Sequence, residues 1–230
     1  MVSRRILLVV LALGLLTGCT SAPGTSGPLP DGATLVDASA DALRDLESVR
    51  FDFRVSSAIP GLSIRAVDGV ARRSDGRYGY ARGDADVQRH TDRAQYDFLL
   101  SGDRLRLTDR DGDQFEQAVP EQFVPARILD PEHGLYQLLT HATALQTETR
   151  EELDDVTAYR VNGELSRKVV SQLVPGIQAD VDVKFWVSEQ QNRNLLRLWI
   201  QVPPRQKNEG SVMLELALSD HNRPVESMQD

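Results

Sequence analysis

Alternation of apolar and polar residues is the feature of this chain that most restricts its fold. Apolar residues occupy every second position over 49–55, and runs at 181–187, 196–202 and 212–218 repeat the pattern. Successive side chains of a β-strand point to opposite faces, so a period of two predicts strands with one buried and one solvated face. The chain is therefore expected to fold around a β-sheet.

Further strands are expected between these runs. Shorter alternating stretches predict strands at 62–71, 77–82, 94–100, 105–108, 114–119 and 156–164. Pro60-Gly61 interrupts the alternation, and Ser101-Gly102-Asp103 and Asp111-Gly112-Asp113 are typical of hairpin turns. The sum is about ten antiparallel strands.

Three helices are also predicted. Residues 33–47 carry apolar side chains at helical spacing. A second helix is expected to open at Asp130-Pro131-Glu132, with Asp130 as N-cap. Its apolar stripe would consist of Leu135, Leu138, Leu139, Ala142 and Leu145. A short third helix is expected after Ser166 and before Pro175.

These elements predict an α+β fold in which helices cover the dry face of a long antiparallel sheet. Long strands on a single sheet tend to curl because strands twist. A strongly curled sheet with helices over it would leave a concave apolar interior.

The N-terminus has the parts of a lipoprotein signal peptide, predicted to be residues 1–18. Arg4 and Arg5 precede an apolar run that is too short to span a bilayer, for which about 20 residues are needed. The run ends in Leu16-Thr17-Gly18-Cys19, a lipobox pattern, and Cys19 is the only cysteine of the chain. We expect Cys19 to carry the lipid anchor, residues 19–32 to form a flexible spacer, and residues 33–230 to form one domain.

Charge excludes one class of partner. Removing residues 1–18 removes two arginines and no acidic residue, so 24 basic residues face 34 acidic ones, a net charge of −10 with His neutral. Such a balance argues against nucleic acid as a partner. Membrane attachment is then expected to come from the lipid on Cys19.

Signatures of catalysis are not found in the sequence. There is no Gly-x-Ser-x-Gly elbow, phosphate-binding loop or zinc motif, and the four histidines lack metal-ligand spacing. The series Asp109-x-Asp111-x-Asp113 begins like a calcium loop but lacks its glycine and its closing glutamate, so a hairpin turn is expected. The acidic cluster at 151–155 is interpreted as a solvated loop after the second helix. We expect no enzyme activity, cofactor or metal.

Five segments carry a resemblance to a known family. They are GPLPD at 27–31, LESV at 46–49, IPGLSI at 59–64, ILDPEHGL at 128–135 and YRVNGELS at 159–166. In this order, behind a lipobox, they resemble the mycobacterial LprG/LppX family of lipoproteins, which includes the LprA and LprF types. The match runs from the spacer to near the C-terminus.

The resemblance implies a bent antiparallel sheet, half a barrel, with helices on its concave face and a hydrophobic cavity between them. It also implies binding of multiply acylated glycolipids or triacylglycerol and transfer toward the outer envelope, often with a major-facilitator efflux transporter. The stretch 83–93 departs from the family pattern because it is more charged, with Asp84, Asp86, Arg89, His90 and Arg93.

Candidate residues for the cavity wall are the inward positions of the alternating strands and of the second helix. They are Phe51, Phe53, Val55, Leu62, Ile64, Leu135, Leu138, Leu139, Phe185, Val187, Leu198, Ile200, Leu214 and Leu216. Each has plain core packing as its alternative, because periodicity identifies an inner face but does not show a void. For the whole protein the alternatives are a scaffold or chaperone-like envelope protein with a protein partner, or an enzyme whose site the sequence does not reveal.

Overall fold

The computed structural model describes residues 27–74, 76–89 and 92–225, and within them eleven strands form one antiparallel sheet. The strands are β1 (Ser48–Val55), β2 (Ile64–Arg72), β3 (Tyr80–Arg89), β4 (Asp92–Ser101), β5 (Arg104–Asp109), β6 (Gln114–Gln117), β7 (Thr143–Leu153), β8 (Val156–Leu165), β9 (Val181–Ser188), β10 (Leu195–Val202) and β11 (Val212–Ser219). Their order across the sheet is β6-β5-β4-β3-β2-β1-β11-β10-β9-β8-β7. The sheet is curved and open, with β6 and β7 at its edges, which confirms the predicted half-barrel.

Short helices accompany the sheet. They are α1 (Gly32–Arg44), α2 (Pro125–Ile128), α3 (Leu135–Thr140) and α4 (Arg167–Val170), with a 3-10 turn at Glu121–Phe123. None of the helices in the described part of the chain has the length and apolarity needed to cross a bilayer. The predicted signal peptide, Cys19 and the spacer before residue 27 lie outside the described residues.

Helix α1 fills one end of the concave face. Asp31 precedes it, and the Asp31 Oδ2 atom accepts a hydrogen bond from the Thr34 amide at 2.8 Å, an N-cap. Its buried side includes Leu35, Val36 and Leu43, and the helix packs against α3 and against β7 to β10. This contact determines which part of the concave face remains uncovered.

The second helix is shorter than the sequence predicts. It covers only Leu135–Thr140, and the chain from Thr143 onward forms β7, so Ala142 and Leu145 are not part of a helical stripe. The prediction of a solvated loop at 151–155 was therefore wrong for Glu151 and Glu152. Strand β7 lies at the sheet edge and is polar on both faces, so it lacks the apolar alternation that identifies a strand.

The predicted cap of the second helix was also wrong. Gly134 stands at the N-cap position of α3, whereas Asp130 lies earlier and its Oδ1 atom accepts hydrogen bonds from the amides of Glu132 and His133. The carboxylate therefore closes a turn before the helix. His133 precedes α3 and His141 follows it, so the two histidines do not share a helix face.

Most of the charged stretch at 83–93 belongs to two paired strands, and His90 lies outside the described residues. Strand β3 continues through it to Arg89, well beyond the predicted end at residue 82, and β4 starts at Asp92. Asp109 ends β5, and its Oδ1 atom accepts hydrogen bonds from the amides of Asp111 and Asp113, both at 3.0 Å. The series of three aspartates thus forms the expected hairpin turn.

Candidate functional site

The uncovered part of the concave face encloses an apolar cavity of about 560 Å³. Its walls come from strands β1 to β6, β10 and β11, and its cover comes from the segment 120–129 with α3 and α4. Polar side chains in the wall are Ser63, Asp92, Gln117, Gln122 and the phenol of Tyr96, and the rest of the lining is apolar. A volume of this size falls within the range of roughly 300–1,000 Å³ that is typical of small-molecule sites.

Because side chains alternate between the two faces of a strand, every second residue of the wall strands faces the cavity. Val49, Phe51 and Phe53 of β1 occupy alternate positions and face the cavity. In β2 a register shift between Ile64 and Ala66 changes the parity, so Ile64 and Val67 both reach the cavity. Alternation interrupted by one bulge therefore brings large side chains from neighbouring strands onto one surface.

The structure brings nine of the fourteen candidate residues to the cavity wall. These are Phe51, Phe53, Ile64, Leu135, Leu138, Leu198, Ile200, Leu214 and Leu216. The structure shows where these nine side chains lie, and their role in binding a ligand is a proposal.

The other five candidates lie off the wall. Phe185, Val187 and Leu139 are at most 1% exposed in the packed core, because α1 covers the inner face of β9 and contacts α3. Val55 is buried in the same core. Leu62 packs against this core and pairs with Ile59 in an isolated β-bridge. These five residues therefore belong to the hydrophobic core or pack against it, which is the alternative that was stated for each candidate.

Several wall residues were absent from the candidate set. Tyr96, Phe98 and Leu100 alternate along β4, and this signal was present in the predicted strand at 94–100. Phe123 and Val124 lie in the cover, where a 3-10 turn leads into α2. No regular period applies to such a segment, so sequence patterns do not reveal its inward residues.

One end of the cavity opens beside the edge strand β6. The rings of Tyr96 and Phe115 meet edge to face there, with centroids 5.6 Å apart and planes at 84°. Phe115 is 40% exposed although it also lines the cavity. These two side chains therefore mark the boundary between the apolar interior and the surface.

Charged networks lie away from the cavity wall, where Asp92 is the carboxylate of the described lining. Glu148 of β7 bridges Arg160 and Lys184, each at 2.8 Å through Oε2, and these partners hold the pKa of Glu148 below its ordinary value. No set of three His, Cys, Asp or Glu side chains among the described residues is arranged to hold a metal ion. The largely apolar lining of the cavity can thus shelter a hydrocarbon.

The pattern of the LppX_LprAFG lipoprotein family matches residues 31–227. The lipoarabinomannan carrier protein LprG of Mycolicibacterium smegmatis is 28% identical over 203 residues, covering 86% of this chain and 85% of its own length. The protein of the same name from Mycobacterium leprae is 26% identical and covers 97% and 94%.

Solved structures show the same fold. The crystal structure of LprF from Mycobacterium bovis superposes with a TM-score of 0.72 at 22% identity, covering 86% of this chain and 96% of that one. For LppX of Mycobacterium tuberculosis the TM-score is 0.64 at 23% identity, with coverage of 84% and 96%. The resemblance inferred from five short segments is thereby confirmed, and the chain belongs to the LppX_LprAFG family of lipoproteins.

Proposed function

We propose that this protein binds acylated lipids, glycolipids among them, in the cavity and carries them from the plasma membrane toward the outer envelope. The observation that carries the proposal is the apolar cavity of about 560 Å³ on the concave face. The relatives named lipoarabinomannan carrier protein support it, because they match nearly the whole chain. Binding and transfer need an apolar lining and no catalytic group.

The energetics favour a carrier. Exposing an acyl chain of about sixteen carbons to water costs roughly 12 kcal/mol at about 0.8 kcal/mol per methylene. Unaided passage of a lipid with two or three such chains through an aqueous layer is therefore very slow. A protein cavity that replaces the bilayer around the chains removes most of this barrier.

We further propose that the protein works while tethered to the outer face of the plasma membrane. Residues 1–18 would be removed as a signal peptide, Cys19 would carry a diacylglycerol anchor, and residues 19 to about 31 would span the distance from the bilayer to the domain. A major-facilitator efflux transporter would be the partner that supplies or accepts the lipid. Cooperation with such a transporter is implied by the family resemblance.

A transfer assay with matched tryptophan variants tests the proposal. Leu198 and Gln201 lie on β10, Leu198 on the cavity wall and Gln201 exposed on the opposite face. Leu198→Trp fills the cavity, so we expect transfer of a pyrene-labelled diacyl lipid between vesicles to fall roughly fivefold or more, whereas Gln201→Trp keeps the wild-type rate. Leu216→Phe, a smaller change on β11, serves if Leu198→Trp does not fold.

Two results would contradict the proposal. One is a wild-type protein that does not accelerate transfer above the vesicle-only rate. The other is unchanged transfer by folded variants with a filled cavity, accompanied by in-cell crosslinking to one specific polypeptide. The second result would favour a scaffold or chaperone-like role.

A further inference from the structure

A half-buried amide lies in the cover of the apolar cavity. The segment 120–129 contains the 3-10 turn Glu121–Phe123, and both Gln122 and Phe123 of this turn line the cavity. Gln122 is half-buried, whereas Gln117, the other amide of the described lining, is exposed. The cover therefore brings an uncharged polar group to a wall that is otherwise largely apolar.

Contacts on the outer side hold this turn in place. Glu121, the exposed residue of the turn, accepts a hydrogen bond from the Tyr78 hydroxyl at 2.7 Å. Further along the cover, the amide of Ala126 donates to the carbonyl oxygen of Tyr78 at 3.2 Å. The connection between β2 and β3, which contains Tyr78, thus fixes the cover at two points, and the position of Gln122 is fixed with it.

The side chain of Gln122 makes no hydrogen bond with any other described residue. A primary amide offers two N–H donors and one carbonyl acceptor. An amide that loses its water when a ligand enters, and gains no partner in return, opposes binding. A pure hydrocarbon offers no such partner, so a ligand with a polar atom opposite Gln122 fits the cavity better.

The charge of the wall restricts what this polar atom can be. The described lining contains one carboxylate, that of Asp92, and no cation, so an ionised phosphate would lack a counter-charge there. An ester carbonyl is uncharged, accepts hydrogen bonds and is joined directly to an acyl chain. A hydrogen bond from Nε2 of Gln122 to the ester carbonyl oxygen satisfies both groups. A chain joined through an ether has no carbonyl at this position.

We propose that Gln122 is a specificity-determining residue that donates a hydrogen bond to an ester carbonyl of the lipid whose chain occupies the cavity. This inference rests on the proposed function and deepens it, because it makes the protein select ester-linked chains over ether-linked chains of the same length. The same hydrogen bond sets how deeply the chain enters, since the carbonyl belongs to the first carbon of the chain.

Equilibrium binding of two matched lipids tests the inference. The delipidated full chain is titrated with dipalmitoylglycerol and with its diether analogue dihexadecylglycerol, each in competition with the pyrene-labelled diacyl lipid. The variant Gln122→Leu removes the amide and keeps a similar side-chain volume. The control is Gln201→Leu, on the outer face of β10, and Gln122→Met serves if Gln122→Leu does not fold.

We expect the wild type and Gln201→Leu to bind the diester about fivefold more tightly than the diether. Gln122→Leu is expected to lose this preference because its affinity for the diester falls about fivefold, while its affinity for the diether stays within about twofold. Equal wild-type affinity for the two lipids would overturn the inference, as would an unchanged preference in Gln122→Leu. Failure of the wild type to bind either lipid would instead overturn the proposed function.

Infrared spectroscopy adds a readout that a change of packing alone would not move. The bound dipalmitoylglycerol carries a heavy carbon isotope at its ester carbonyls, so that their stretching band is separated from that of the protein. We expect this band to move to lower wavenumber in the wild type and in Gln201→Leu, because the carbonyl accepts a hydrogen bond, and not to move in Gln122→Leu. The same band position in Gln122→Leu and the wild type would contradict the role of Gln122.

Discussion

Gly69 of β2 lies directly opposite Gly83 of β3, and neither position accepts a β-carbon. A β-carbon on Gly83 would lie 1.9 Å from the carbonyl oxygen of Asp68, and one on Gly69 would lie 2.1 Å from that of Arg82. Paired glycines let two backbones approach closely, which is how a sheet turns sharply. We infer that this pair supports the curvature that keeps the concave face open.

Replacement of Gly83 by alanine is predicted to destabilise the protein by about 2 kcal/mol or more, because the backbone must shift. Gly210→Ala is the matched control, since a β-carbon there meets nothing within 4 Å. Its effect should stay within about 0.5 kcal/mol. Urea unfolding followed by circular dichroism measures both, and equal stability of the two variants would contradict this account of the bend.

Phe185 and Phe53 test the division between packed core and open cavity. Phe185 is fully buried in the core beneath α1, so Phe185→Ala should lower the free energy of unfolding by about 3–5 kcal/mol. Phe53 is partly buried and already lines a void, so Phe53→Ala should cost only about 1–2 kcal/mol. Similar losses for both would indicate that the space beside Phe53 is filled.

Four aspartates stand in register across the outer face of β1 to β4. Asp52 is opposite Asp68, Asp68 opposite Asp84, and Asp84 opposite Asp97. The hydrogen bond to Asp97, then burial and the charges of Asp97 and Asp68, raise the pKa of Asp84 above its ordinary value. Like charges directly opposite one another in a sheet oppose folding.

The Asp84→Asn variant should therefore be more stable than the wild type at pH 7. A raised folded-state pKa means that the wild type is relatively most stable below the unfolded-state pKa, near 3.8, and loses this stability as pH rises through the folded-state value. The gain should reach roughly 0.2–1 kcal/mol at pH 7 and disappear near pH 3. Thermal unfolding at both pH values measures it, with the exposed α1 variant Asp37→Asn as control. A gain that is independent of pH would contradict the prediction.

Glu189 joins the end of β9 to β7 and β8. Its carboxylate accepts from Arg150 at 2.9 and 2.6 Å and from the Tyr159 hydroxyl at 2.8 Å. The hydrogen bond from Arg150, followed by that from Tyr159, lowers the pKa of Glu189 to about 2. The ionised carboxylate is therefore the form that the fold favours.

Glu189→Gln should lower the midpoint of thermal unfolding at pH 7. A lowered folded-state pKa contributes stability that is present above the unfolded-state value of about 4.5 and is lost as pH falls through about 2. The difference between wild type and variant should accordingly shrink below pH 4.5 and vanish near pH 2. Scanning calorimetry over this range provides the measurement, and a constant difference would show that the carboxylate charge is not involved.

Strands β1 and β7 show what the sequence could and could not predict about the fold. Phe51 and Phe53 alternate with charged residues, so the local sequence pattern alone predicts β1 and its inward face. Strand β7 is an edge strand whose residues are polar on both faces, and Leu145 continued an apparent helical stripe into it. Whether a strand lies at the edge depends on the whole sheet, so a short stretch of sequence does not predict it.

The candidate site was limited in a different way. Whether an inward residue lines the cavity or the core depends on where α1 lies, and this is a contact between residues far apart in sequence. Leu198 and Phe185 have equivalent patterns and adjacent strands, yet Leu198 faces the void and Phe185 is packed beneath the helix. Periodicity therefore identifies the inward face of the sheet. Long-range packing decides which part of that face lines the cavity and which part belongs to the core.

Native mass spectrometry tests the central claim, that the cavity holds the hydrocarbon chains of a lipid. The full chain is isolated from membranes of a mycobacterial host in mild detergent and sprayed without denaturation. We predict a non-covalent mass increment corresponding to one lipid with two or more acyl chains, present in the wild type and in Gln201→Trp and reduced in Leu198→Trp. A wild-type spectrum that shows only the polypeptide with its covalent anchor would contradict the account.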